Sequence, residues 1–145
     1  MMTSAELDNL VRIGKLKREP PSARELQGLR ESALARLADS NLDGMSFDGR
    51  FDLVYSAAHA LALYALRRLG YRSEHRYLVF QALPHTTGLP VETWRVLMKA
   101  HERRNLAEYE GHLERDERLL VGLLAAATAL RTAVETLARI EDRTS

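Results

Sequence analysis

Apolar residues recur at helical spacing through most of this chain, and nowhere do they alternate with the period of two that marks a half-buried strand. Leu26, Leu29, Ala33 and Leu37, with Leu34 beside them, line a segment that opens at the capping box Ser22-Ala-Arg-Glu25 and runs to about Ser40. A second amphipathic stretch, Arg50 to Leu69, carries Phe51, Val54, Tyr55, Ala58, Ala62, Ala65, Leu66 and Leu69 on one face. Three alanines on that face let another helix approach closely, and Gly70 suits the left-handed position after a helix. A third helix, from Val91 to about Glu110, has Pro90 near its first turn, aims Trp94, Leu97 and Met98 at a core, and meets its end or a kink at Gly111. The last, from about Leu113 to Glu141, spaces Leu119, Leu123, Ala126, Leu130, Ala133, Leu137 and Ile140 alternately four and three apart, as in a bundle or a short coiled-coil seam. A capping box at Thr3-Ser-Ala-Glu6 predicts a short helix to about Lys17, ended by Pro20-Pro21. Another short helix is expected from about Ser73 to Leu83, stopped by Pro84, with loops at Asn41–Gly49 and His85–Pro90. The pattern predicts an all-α protein, a four-helix up-and-down bundle with short accessory helices. It forms one domain over 1–145, with 1–20 as an N-terminal helical extension and 22–141 as the bundle core.

At 145 residues such a domain buries roughly 68–70% of its unfolded surface. Lys plus Arg (21) nearly balances Asp plus Glu (20), so contact with nucleic acid has to come from a local patch and not from net charge. The absence of cysteine excludes disulfides, thiolate zinc sites and cysteine nucleophiles, and suits the cytoplasm, where the protein is expected. Met1 to Asp8 has no basic region followed by an apolar run, which argues against a signal peptide. The most apolar window, Leu119 to Leu130, is shorter than the ~20 residues a membrane span needs, so it reads as a buried helix with no membrane partner.

The informative departure from packing lies late in the third long helix. At ~100° per residue the stripe of Trp94, Leu97 and Met98 continues through His101, Asn105, Glu108 and His112, with Arg104 and Tyr109 at its edges. Each such group, buried without a partner, costs about 1–3 kcal/mol, so the face is either satisfied internally or lines a cleft. No histidine has an acidic residue three positions before it, as a di-iron bundle requires. His101-Glu-Arg-Arg-Asn105 lacks the second imidazole of a zinc-protease helix. No glycine-rich phosphate loop or Gly-x-Ser-x-Gly elbow occurs, and no metal or cofactor is expected.

Arginine is the side chain best fitted to bidentate phosphate contacts, and Arg103 and Arg104 precede a hydrogen-bonding phenol at Tyr109 and a proton-accepting imidazole at His112. Arg104 and Tyr109 are separated by ~7.5 Å of helical rise, compatible with one nucleotide. The same residues also suit a solvated ladder in which Glu110 pairs with Arg103 or Arg104. Elsewhere His59 reads as a core-edge histidine beside Tyr55, His75 and His85 as solvent-facing, and Trp94 as packing. Arg67-Arg68 complements the dipole at its helix end. Tyr71, Arg72, Arg76 and Tyr77 interleave aromatic and basic side chains, which suits nucleic-acid contact but is read here as the start of a helix.

From about Ser22 to Ile140 the sequence resembles the HEPN superfamily, small helical bundles of prokaryotic toxin–antitoxin and nucleotidyltransferase systems. The resemblance is carried by Arg104-Asn105 late in the third long helix, by Tyr55, Ala57, Ala58, His59 and Ala60, and by the Tyr77–Leu83 segment. It implies metal-independent cleavage of RNA, an arginine holding the scissile phosphate and a histidine assisting attack by the ribose 2′-hydroxyl, often in a homodimer. The family motif puts its histidine after four to six intervening residues, a slot that holds Tyr109 here, while seven residues separate Arg104 from His112. His101 or His112 is the candidate substitute.

The resemblance thus implies a binder of nucleotide or RNA phosphate at Arg104, with Asn105, Tyr109, His101 and His112 in the catalytic set and Arg103 and Glu108 contacting substrate. Endoribonuclease activity of the toxin type is one version. The alternatives are a non-catalytic helical partner of a minimal nucleotidyltransferase, with Tyr109 as contact or modification acceptor, and a structural dimerising protein.

Overall fold

Capping hydroxyls and positive-φ glycines set where the long helices start and stop. A computed structural model describes residues 5–144, ordered as α1 (Ala5–Arg12), β1 (Lys17–Arg18), α2 (Ala23–Asp39), α3 (Phe47–Arg68), β2 (Tyr71–Arg72), α4 (Arg76–Gln81), α5 (Leu83–Thr86), α6 (Val91–Glu110) and α7 (Glu117–Thr144). The Ser22 hydroxyl accepts from the Glu25 amide at 3.0 Å and opens α2. Ser46 does the same for α3 through Gly49, which starts that helix three residues before the expected Arg50. Gly70 (φ 87°) and Gly111 (φ 79°) take the left-handed conformation that ends α3 and α6.

The protein is mainly helical, with four long helices and three short ones among the described residues. Helix α3 lies at the centre, packed against α2 and α7 and touched by α4, α5 and α6. Its burial is wider than the single predicted stripe: Ala57, Ala60, Leu61 and Tyr64 are buried along with Phe51, Val54, Tyr55, Ala58, Ala62, Ala65 and Leu66. Small side chains on several faces let neighbours close on most of its circumference. Arg30 of α2 holds Glu135 of α7 through two hydrogen bonds, of 2.9 and 2.6 Å.

Several expectations need correction. The capping box at Thr3 and Ser4 falls outside the described residues, and α1 ends at Arg12, not at about Lys17, with Gly14 (φ 80°) turning the chain. Lys17-Arg18 then pairs antiparallel with Tyr71-Arg72, a small sheet where no strand was expected. Two-residue strands are too short for alternation to show. Pro84 sits in the first turn of α5 instead of closing a helix, and His85 lies in that helix instead of a loop. Helix α7 starts at Glu117, where the Asp116 carboxylate accepts from the Leu119 amide, so His112 falls in a connection. By length and composition Glu117–Glu141 is apolar enough to cross a membrane, further than the predicted window, because Ala and Thr continue past Arg131. Leu123, Ala127, Leu130 and Val134 of this helix are buried in the core.

One charged group is buried at the end of α3. Arg67 is 1% exposed and spends its donors on the Glu25 carboxylate (3.1 and 3.0 Å), the Glu19 and Tyr71 carbonyls (2.9 and 3.1 Å) and the Pro20 carbonyl (3.3 Å). The Glu25 side chain therefore turns to Arg67 and to Arg72 (2.8 Å), and the capping box is completed only by Ser22. Arg68, by contrast, is only partly buried, 17% exposed, and is bonded to Glu141. Arg67→Ala leaves three carbonyls without this donor and the half-buried Glu25 carboxylate with Arg72 alone, and is expected to cost about 3–5 kcal/mol in urea unfolding. Arg68→Ala should cost about 1 kcal/mol or less in the same measurement; equal losses would contradict this ranking.

Candidate functional site

The polar end of α6 continues the direction of its buried Leu97 and Met98, so it stays pressed toward the protein. Beyond Met98 it is faced by Tyr55 and Asp52 of α3 on one side and by the short α4 and its approach on another. The gap is a cleft of about 410 Å³ into which α6 projects His101, Arg104, Asn105 and Glu108. Tyr55 of α3 forms its floor, and Glu74, His75, Arg76 and Tyr77 form the opposite wall.

Hydrogen bonds fix the centre of this cleft. His101 Nδ1 lies 2.8 Å from Tyr55 Oη, and Asn105 Nδ2 lies 3.1 Å from His101 Nε2. His101 is thus held through both ring nitrogens, by the Tyr55 hydroxyl at Nδ1 and the Asn105 side-chain amide at Nε2. Arg104 donates to Asp52 at 2.8 Å while its Cζ stands 5.3 Å from the Tyr55 ring centroid. Arg76 approaches the same ring at 5.7 Å and makes no ion pair among the described residues. Two guanidinium groups thus converge on one phenol, and one lacks a carboxylate.

Burial pushes the His101 imidazole below its usual value, and Arg76 and Arg104 push the same way, against Glu102 and Glu108. His101 is therefore neutral at pH 7, competent to accept a proton. Behind it, His59 packs edge-to-face on Phe80 at 5.8 Å. Burial, then Arg76 and His101, lower its pKa to about 4. Burial raises the Tyr55 phenol, partly offset by Arg76 and Arg104, which keeps it a hydrogen-bond donor.

Of the residues singled out in the sequence, His101, Arg104, Asn105 and Glu108 come together. Tyr109 does not: it is 90% exposed and outside the cleft. Arg103 points to the α6–α7 connection, pairing with Glu114 at 3.3 Å and Asp116 at 3.7 Å. His112 lies past the end of α6, in an adjoining groove with Asp48, Asp52 and Arg104, so it does not extend the stripe. Sequence reasoning missed Asp52, Tyr55, Glu74, His75, Arg76 and Tyr77 as parts of the site. The interleaved aromatic and basic residues around Arg76 were the available signal. His75 faces the cleft as well as solvent. Among the described residues no cluster of three His, Asp or Glu side chains offers a metal site.

No family model, curated protein or solved structure matches this chain.

His59 is kept neutral by its surroundings, so the fold gains from it fully only above the unfolded pKa near 6.5. As pH falls from about 6.5 to about 4, the unfolded chain takes up a proton that the folded one refuses, and stability drops. The expected loss is roughly 2–3 kcal/mol. Urea unfolding at pH 7 and pH 4 should show a smaller acid loss in His59→Phe than in the wild type; identical losses would mean His59 is not the group responsible.

Proposed function

We propose that the cleft binds the phosphate of a nucleotide or of RNA, with Arg104 and Arg76 as its cationic donors. The observation that carries this reading is the convergence of the two guanidinium groups on Tyr55, with Arg76 lacking a carboxylate partner among the described residues. Arginine paired bidentately with phosphate is the common resolution of such an arrangement. Asp52 holds Arg104 by one nitrogen and leaves its other donors for the anion. Membership of the HEPN superfamily, and with it a four-helix up-and-down bundle acting as a homodimer, is part of the same proposal. The four long helices and the place of Arg104 support it.

On this reading the protein is a metal-independent endoribonuclease in which His101, one turn before Arg104, takes the part the motif assigns to a later histidine. The neutral imidazole accepts the 2′-hydroxyl proton at Nε2 once the Asn105 amide swings away. The 2′-oxygen then bonds to phosphorus, the bond from phosphorus to the 5′-oxygen breaks, and the leaving oxygen draws a proton from water. Tyr55 sets the orientation of the imidazole.

A second reading is favoured by one specific observation. The Tyr109 side chain stands free, 90% exposed, at the end of the helix that carries Arg104. That exposure fits a non-catalytic partner of a minimal nucleotidyltransferase whose phenol accepts nucleotides.

Total RNA incubated with the purified protein without added metal should be cleaved. Arg104→Gln should lower cleavage by about 100-fold, and His101→Ala by a similar factor. Retained cleavage in His101→Ala would make that histidine a spectator. If the wild type leaves RNA intact yet gains nucleotide mass at Tyr109 when a nucleotidyltransferase and a nucleoside triphosphate are supplied, and Tyr109→Phe does not, the second reading holds.

A further inference from the structure

We propose that the groove between α1 and α4 receives the aromatic base of the nucleotide whose phosphate occupies the cleft, with Tyr77 as the surface on which the base stacks. This assignment rests on the phosphate reading above and adds a subsite to it. The groove encloses about 820 Å³ and is the roomier of the two cavities, which meet at His75 and Tyr77. Both volumes fall in the range of ligand sites, roughly 300–1,000 Å³.

The two compartments differ in chemistry. The cleft is walled by guanidinium, carboxylate, imidazole and amide groups, whereas Leu10, Ile13, Gly14 and Leu78 make up half of the groove's wall and give it a larger apolar share. A nucleotide is divided in the same way, into an anionic phosphate and a flat, weakly polar base. Tyr77 stands at the partition. Its ring meets His101 edge-to-face at 6.3 Å, which fixes it against the cleft, yet the residue remains 46% exposed. Ile13, on the turn after α1, is 67% exposed, and Gly14 at φ 80° supplies the backbone turn that leaves it facing the groove. Lys15, His75 and Gln81 are the polar members beside them. Leu10, Ile13 and Leu78 offer contact to a ring face, as aromatic stacking platforms do, while Lys15, His75 and Gln81 stand in the same walls to meet polar base edges.

The test compares adenosine 5′-monophosphate with ribose 5-phosphate, which share phosphate and sugar and differ by the base, in calorimetric titrations. The wild type should bind the nucleotide at least tenfold more tightly. In Tyr77→Ala that ratio should collapse toward one, while Tyr77→Phe should keep it. Ile13→Ser changes a residue that lines only the groove, so it should reduce the ratio severalfold and leave ribose 5-phosphate binding as it was. A ratio near one in the wild type, or one that survives Tyr77→Ala, overturns the base subsite. If ribose 5-phosphate still binds and depends on Arg104 in that case, the phosphate reading stands alone. If neither ligand binds, both fall. Circular dichroism of each variant checks folding, and Ile13→Ser decides should Tyr77→Ala be misfolded.

Discussion

The buried guanidinium of Arg67 is the constraint on which the arrangement of this protein depends. It lies at the C-terminal end of α3, where the chain must leave the core, and it gathers the start of α2, the segment around Glu19 and the carbonyl of Tyr71 around one charge. The small β1–β2 pairing has almost no core of its own and would be marginal in isolation. Arg67, together with Arg72 bound to Glu19 and Glu25, turns it into a fixed bracket. Residues Glu74 to Tyr77 follow directly from that bracket and form one wall of the cleft. A substitution at Arg67, though outside the cleft, thus bears on the position of Arg76.

The opposite wall has a different origin. Helix α6 is oriented by Leu97, Met98 and Ala100, all buried, and simply continues in register. Had a long helix packed over residues 101–108, the imidazole, amide and carboxylate would have been buried at a cost of about 1–3 kcal/mol each. The short α4 covers only part of the length of α6, and water reaches the rest. Tyr55 joins the two walls: its ring belongs to the core, packed edge-to-face on Phe80 at 5.8 Å, while its hydroxyl meets His101. The site is therefore the point where one rigid helix outlasts its cover.

Periodicity made the four long helices legible, because each buries a face long enough for the 3.6-residue repeat to stand out. The polar continuation of the α6 face was legible for the same reason, and it brought His101, Arg104, Asn105 and Glu108 to one place. Its extrapolation failed at Gly111, where the helix stops and the angular argument no longer applies to His112. Tyr109 went astray differently. Helical spacing puts it at the edge of the stripe and motif spacing puts it in the histidine slot, yet it lies one residue past Glu108 and so about 100° further round the helix, out in solvent. The wall from Glu74 to Tyr77 could not be derived, since it depends on Arg67 and on a pairing of two-residue strands distant in sequence. Tyr55 was legible as core but not as site, because the sequence does not reveal which end of a buried phenol meets water.

The electrostatics of the cleft give the proposed chemistry an order of events. Burial and the guanidinium groups of Arg76 and Arg104 disfavour a charged imidazole at His101, while burial, Arg76 and His101 lower the pKa of the His59 behind it to about 4. A phosphate bound between Arg76 and Arg104 cancels part of that positive field, and its own charge favours a proton on the neighbouring ring. The affinity of His101 for a proton therefore rises when the anion arrives. A residue held neutral before binding, and made more basic by it, serves a general base better than one already protonated in the free protein. His59, packed on Phe80 and outside the cleft, stays a neutral imidazole at pH 7 and supplies no second acid. The asymmetry between two histidines in one aromatic cluster follows from their different access to the ligand.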